Sequence, residues 1–279
     1  AGAGEALGSG AWVGQALGAC DAVGRRLGVR DGAGAGARGG AALGGGLGQC
    51  EIDGPEVPIL DGSSACFVDA FEQAGLVTQA AKRRFIRVLK PVRVENGPSW
   101  AEFRPYGGTR FEVEIDFDSP AIGRQAFGAD MTPETFRREV SRARTFGFMK
   151  DVERLWAAGY ALGSSLENSV VIGDDHKVIN MEGLRYTDEF VRHKTLDALG
   201  DLALAGARIL GCFRSFRGGH KLNAGALRAL LSDEEFVAYG RDAAWRVEAR
   251  GATGRAEPHM PLTGDERYRT HTLEYLDAW

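Results

Sequence analysis

A break in composition at residue 50 constrains this chain more than any motif in it. Residues 1–50 contain 17 Gly and 12 Ala and no Ile, Phe, Tyr, His, Lys, Asn, Met, Thr or Pro. A segment so poor in large apolar side chains cannot cover a core, and so much glycine is entropically costly to order. The G-x-G spacing of Gly32-Ala33-Gly34-Ala35-Gly36 follows no β-branched strand and precedes no acidic ribose partner, so it does not read as a dinucleotide loop. The residues present are mostly those with GC-rich codons. That fits two histories: a GC-rich gene read out of frame, or a natural low-complexity Gly/Ala leader.

From Glu51 the sequence acquires the grammar of a folded protein. Over all 279 residues it is 26% charged and 44% hydrophobic, with a net charge of −4, the balance of a globular chain. The basic clusters Lys82-Arg83-Arg84 and Arg137-Arg138 carry no interleaved aromatics, so no nucleic-acid partner is expected. No apolar run approaches the length of a transmembrane segment, and the first residues lack the basic start and apolar middle of a signal peptide, so a cytoplasmic location is expected. Cys20, Cys50, Cys66 and Cys212 form no C-x-x-C pair and read as reduced, buried thiols rather than a zinc or redox motif. A serine or cysteine hydrolase lacks support, for there is no G-x-S-x-G elbow and no cysteine with an evident His partner.

Local patterns place the elements. A short strand and two turns are expected over 51–63, and a short helix over 67–74 is ended by Gly75. A strand is expected over 84–94 and a half-exposed strand over 111–117, where apolar and acidic residues alternate. Thr132-Pro133 opens a helix running toward Arg144, and a second helix spans 151–158. Strands follow near 170–172 and 177–179, on either side of an Asp174-Asp175 turn. Thr187 is expected to cap a long helix ending near Gly206, with Asp188 and Glu189 favoured in its first turn by the dipole. Helices and strands without βαβ alternation give an α+β class.

That long helix carries His193, Asp197 and Asp201 at four-residue intervals, which places all three, with Lys194, on one face. The spacing fits two readings. One is a solvated face with an i,i+4 His-Asp pair. The other is a metal site, since a neutral imidazole and a carboxylate one turn apart can grip one zinc ion. His220 follows Arg217-Gly218-Gly219, and with Asp201 nearby it would stay protonated and serve as a general acid. His176, His259 and His271 have no partner in the sequence and read as surface residues.

These segments together resemble the zinc-dependent UDP-3-O-acyl-N-acetylglucosamine deacetylases of Gram-negative lipid A synthesis. The likeness rests on residues 51–63 with Phe67-Val68, on 111–117 leading to Pro120-Ala121-Ile122-Gly123, and on Ala143-Arg144-Thr145-Phe146-Gly147-Phe148. It continues through 162–168, through 182–194 to Gly200-Asp201-Leu202, and through Gly219-His220-Lys221-Leu222-Asn223.

The resemblance implies two β-α-α-β domains packed as two-layer sandwiches, with boundaries at 51–104 and 105–231 and a C-terminal extension over 232–279. A βαβ insert over 159–180 would form an acyl-chain passage. It implies Zn2+ held by His193 and Asp197, with His220 as general acid, Asp201 as its orienting partner and Thr145 at the oxyanion. Phe117 would stack on uracil, Phe146 would line the substrate site, and Lys194 and Arg217 would face the phosphates of UDP-3-O-acyl-N-acetylglucosamine. The family's Glu-His pair, its base and third zinc ligand, would fall near Ala37 and Arg38, and no His precedes His176. The expectation is therefore a deacetylase by family whose activity in this chain is in doubt. The alternative is a non-catalytic remnant that binds a nucleotide sugar or acyl chain.

Overall fold

Alternation of apolar and polar residues makes a half-buried strand of Thr109–Asp116, whose Phe111, Val113 and Ile115 point into the protein while Glu112 and Glu114 point away. In the computed structural model, which describes residues 59–74, 84–151 and 165–241, this strand belongs to a seven-stranded sheet. In chain order the elements are helix α1 (Ala65–Ala74), strands β1 (Arg84–Val88), β2 (Val92–Asn96), β3 (Ser99–Arg104), β4 (Thr109–Asp116) and β5 (Arg124–Asp130), then a short helix α2 (Pro133–Thr135). Strands β6 (Phe146–Phe148) and β7 (Val170–Ile172) follow, then helix α3 (Glu189–Ala203), β8 (Arg208–Phe216), helix α4 (His220–Leu231) and β9 (Val237–Arg241). The mixture is the α+β class.

Strand β8 organises the sheet. Its first residues pair in parallel with β1, Phe85 opposite Arg208. Its remainder pairs in parallel with β4 and antiparallel with β3, which carries β2 beyond it. Strand β9 closes on β1 and β5 on β4, both antiparallel, while β6 and β7 form a separate parallel pair.

Helix α3 lies between two hydrophobic clusters. Its Leu196, Leu199 and Leu202 join Phe103, Phe111, Phe213, Leu227 and Leu230 in the larger one. Its Phe190 and Val191 join Val113, Ile115, Val170 and Ile172 in the other. Every residue from Glu189 to Leu202 is buried except Arg192 and Lys194, which are partly so, as expected of a helix with core on several sides.

Several boundaries differ from expectation, for local reasons. The strand expected over 84–94 is two strands, because Pro91 offers no N–H and the ladder stops. Thr132 does cap its helix, accepting from the Thr135 N–H, but the chain passes into one π-turn, Phe136–Val140, and ends well short of Arg144. Thr187 does not cap α3. Asp188 holds that position without a capping bond, its carboxylate being engaged by Arg192. Lys177–Ile179 makes a single bridge, Val178 to Ile172, rather than a strand. Cys212 is buried as expected, but Cys66 is exposed. Residues 1–58, with Cys20 and Cys50, lie outside the described residues, as do all but the first residue of the helix expected over 151–158, the first part of the expected insert and the tail from 242 with His259 and His271. Among the described residues no helix is long and apolar enough to cross a membrane.

The core makes a direct stability prediction. Phe213 packs its ring 5.2 Å from Phe103 and 5.7 Å from Phe111 between sheet and helices. Phe213→Ala is expected to cost about 3–5 kcal/mol in urea unfolding, and a loss below about 1 kcal/mol would show that the cavity collapses without consequence.

Candidate active site

The face of α3 that bears His193, Asp197 and Asp201 is not solvated. These side chains are 2%, 3% and 6% exposed, which overturns the surface-pair reading and leaves three polar groups that must be satisfied inside. His193 Nδ1 lies 3.0 Å from the Ala143 carbonyl oxygen. A carbonyl only accepts, so Nδ1 carries the proton and Nε2 presents a lone pair. Burial lowers the His193 pKa, outweighing the attraction of Asp197 and the Ala143 bond, so the ring is neutral. Its Nε2 lies 3.4 Å from Asp197 Oδ1. Two acceptors at that distance repel unless a cation lies between them.

Asp197 is ionised. Burial opposes its charge, but the Lys194 ammonium, 2.8 Å from Oδ2, and the protonated His220 ring hold its carboxyl well below the usual range. Donors about 2.0–2.1 Å from a tetrahedral zinc are separated by about 3.3 Å, so His193 and Asp197 fit two corners of such a site. A catalytic zinc takes three protein ligands. Among the described residues no third His, Cys, Asp or Glu completes a cluster, and no His precedes His176 in the sequence. Among the described residues the donor set is therefore incomplete.

One turn along α3, Asp201 receives His220. The His220 Nδ1 lies 2.9 Å from Asp201 Oδ2, which also accepts from Asn223 Nδ2 at 2.8 Å. Gly219, extended at φ −163°, delivers His220 as the first residue of α4. Burial works against charge on this ring. The Asp201 hydrogen bond and the charges of Asp197 and Asp201 prevail, so its pKa is raised. Asn223, named in the sequence only as part of the stretch after Gly219, has no role assigned there, although its i,i+3 spacing from His220 puts both on one turn of α4.

The remaining predicted residues lie on neighbouring elements. Phe117 and Arg217 follow directly on β4 and β8, whose parallel pairing brings both strand ends to one side. Arg217, at φ 49°, donates to Asp116 at 2.9 Å. The Phe117 ring lies 5.8 Å from Phe146, and Phe146 lies 4.9 Å from Phe190 and 6.3 Å from the His193 ring. Thr145 is buried, its N–H bonded to Gly62 O and its carbonyl accepting from Val170. Gly62 (φ 77°) is irreplaceable there, since a Cβ would lie 1.9 Å from the Asn168 carbonyl oxygen. His176 lies apart, exposed and bonded to Ser119.

Behind the site runs a buried ion network absent from the sequence reading. Glu189, 0% exposed, accepts from Arg144 Nε at 2.9 Å, Arg144 N at 3.0 Å and Arg185 N at 2.6 Å. Arg144, 2% exposed, also donates to Glu182 and to the Gly183 carbonyl. Arg185 continues to Asp61 at 2.7 Å.

The raised His220 pKa has a sign. A folded value above the ordinary 6.5 means that protonation favours folding, a contribution complete below about pH 6.5 and lost as pH rises through the folded value. Asp201→Asn is expected to lower the His220 pKa by about one unit or more, read by NMR titration of its ring protons. An unchanged midpoint would remove Asp201 as the cause.

Residues 47–232 match the LpxC family, UDP-3-O-acyl N-acetylglycosamine deacetylase. Proteins named UDP-3-O-acyl-N-acetylglucosamine deacetylase from Brucella ovis, Brucella canis and Brucella suis are each 70% identical over 172 residues, covering 62% of this chain and 60% of theirs. The chain thus spans about 60% of the length of the curated relatives it matches. With more than half of its residues inside the family match and the paired His and Asp side chains assembled on α3 and α4, the chain belongs to the LpxC deacetylase family.

Proposed function

We propose that this chain carries the substrate-holding and proton-donating part of a zinc-dependent amidase, one that removes the acetyl group of UDP-3-O-acyl-N-acetylglucosamine in the cytoplasm during lipid A synthesis. The observation that carries the reading is the buried His193–Asp197 pair, two acceptors 3.4 Å apart with His220 held by Asp201 beside them. In the family the fold is a pair of β-α-α-β two-layer sandwiches, the second with a βαβ insert, and the same architecture is proposed for residues 51–231.

Each residue has a role suited to amide cleavage. His220, kept protonated by Asp201, donates its proton to the departing amine nitrogen. Thr145 offers a hydroxyl to the charge that develops on the acetyl oxygen. Phe117 stacks on uracil, Phe146 lines the wall between that ring and His193, and Lys194 and Arg217 face the diphosphate. His193 and Asp197 would supply two of the donors for a Zn2+ ion, which would bring Lewis-acid polarisation of the acetyl carbonyl.

A second reading, a non-catalytic remnant that binds the nucleotide sugar or acyl chain, is favoured by the lack of any His before His176. Two donors do not fix zinc as three do, so the 279-residue chain is expected to be without turnover while retaining the nucleotide surface. Atomic absorption on the purified chain should find far less than one zinc per chain, and acetate release should match that of His193→Ala. Near-stoichiometric zinc together with acetate release abolished by His193→Ala would show that the chain is a working enzyme. UDP affinity, measured calorimetrically, should fall about tenfold in Phe117→Ala; equal affinities would end the nucleotide assignment.

A further inference from the structure

We propose that Glu189 is a positioning residue, which fixes the orientation and tautomer of His193 through a single peptide group. The peptide between Ala143 and Arg144 is held at both ends by α3. Its carbonyl, on Ala143, accepts from His193 Nδ1 at 3.0 Å, and its N–H, on Arg144, donates to Glu189 Oε1 at 3.0 Å. A trans peptide is planar, with its C=O and N–H pointing in opposite directions. Glu189 and His193 are four residues apart and therefore one above the other on the helix. One rigid plate is thus gripped by two side chains a turn apart, and fixing its N–H fixes the direction of its carbonyl.

The carboxylate that does this has no exposed surface and no freedom to turn. Arg144 Nε and Nη2 reach its two oxygens at 2.9 and 3.2 Å, and the Arg185 N–H takes Oε2 at 2.6 Å. The guanidinium compensates the buried charge, while the backbone N–H transmits the position. The adjoining residue is Thr145, pinned through its own N–H to Gly62 and its carbonyl to Val170. The same anchor therefore sets the loop that presents Thr145 and Phe146 against α3. A merely structural ion pair would need the guanidinium contacts but not the bond from the peptide N–H.

The inference deepens the reading of His193 as a metal donor, yet its test needs neither metal nor turnover. Long-range proton–nitrogen NMR on the full chain reads the tautomer of each histidine, with His193 assigned by its loss in His193→Gln. The parent should show one His193 tautomer with the proton on Nδ1. Glu189→Gln should give a mixed tautomer, whereas Arg144→Lys, which keeps the backbone N–H, should weaken urea stability and leave the tautomer unchanged. A single unshifted tautomer in folded Glu189→Gln overturns the proposal. Should that variant fail to fold, the parent decides: a proton on Nε2 of His193, or a rapidly exchanging Arg144 amide, overturns it too. A tautomer that responds to Glu189 while zinc uptake is absent from every form would leave the positioning role standing and remove the metal assignment.

Discussion

A carboxylate with no contact with water is tolerable only when its charge is answered at close range, and in this fold that carboxylate is Glu189. Removing one partner of such a pair leaves an unpaired interior charge, whereas an apolar replacement of the whole pair is often harmless. The pair is therefore better understood as a device for arrangement than as a source of stability. It ties the first turn of α3 to the loop between α2 and β6, and through Arg185 and Asp61 it reaches the segment that enters α1. His193, Asp197 and Asp201 sit about one, two and three turns farther along the same helix, so their surroundings inherit this geometry.

Helix α3 is unusual in being buried almost all round while bearing charges. The two apolar clusters explain the burial, and each charged group meets a partner: His193 a carbonyl, Asp197 an ammonium, Asp201 an imidazole and an amide. The one contact that this list leaves unfavourable is the lone pair of His193 Nε2 facing Asp197 Oδ1. The proposed cation would relieve that confrontation across 3.4 Å. The parallel pairing of β4 and β8 then brings Phe117 and Arg217 to the same end of the sheet.

The sequence made the polar residues that the fold gathers on α3 more legible than the scaffold. His193, Asp197 and Asp201 announce themselves by a four-residue rhythm, and Phe117, Thr145 and His220 by motifs in order along the chain. Their burial was not legible, because the charge on α3 mimics a solvated surface and only the second apolar cluster reveals otherwise. Arg144 read as the end of a helix, since its partner lies 45 residues away in sequence and no local pattern couples them. The π-turn after Thr135 likewise answers to Phe136 and Val140 both needing the core. The strand break at Pro91 is a local signal, because proline brings no N–H to the ladder.

Strand β8 has a consequence for how the protein comes into being. Its neighbours β1, β3 and β4 are all synthesised well before it, and Phe85 must wait for Arg208. Contacts between such distant parts of a chain raise contact order and slow folding. Until residues 208–216 emerge from the ribosome, the inward faces of β3 and β4 have no central strand, and β1 lacks both β8 and β9. The nascent chain thus passes through an interval with open strand edges and uncovered Phe103 and Phe111, the state in which chaperone capture and aggregation compete with completion.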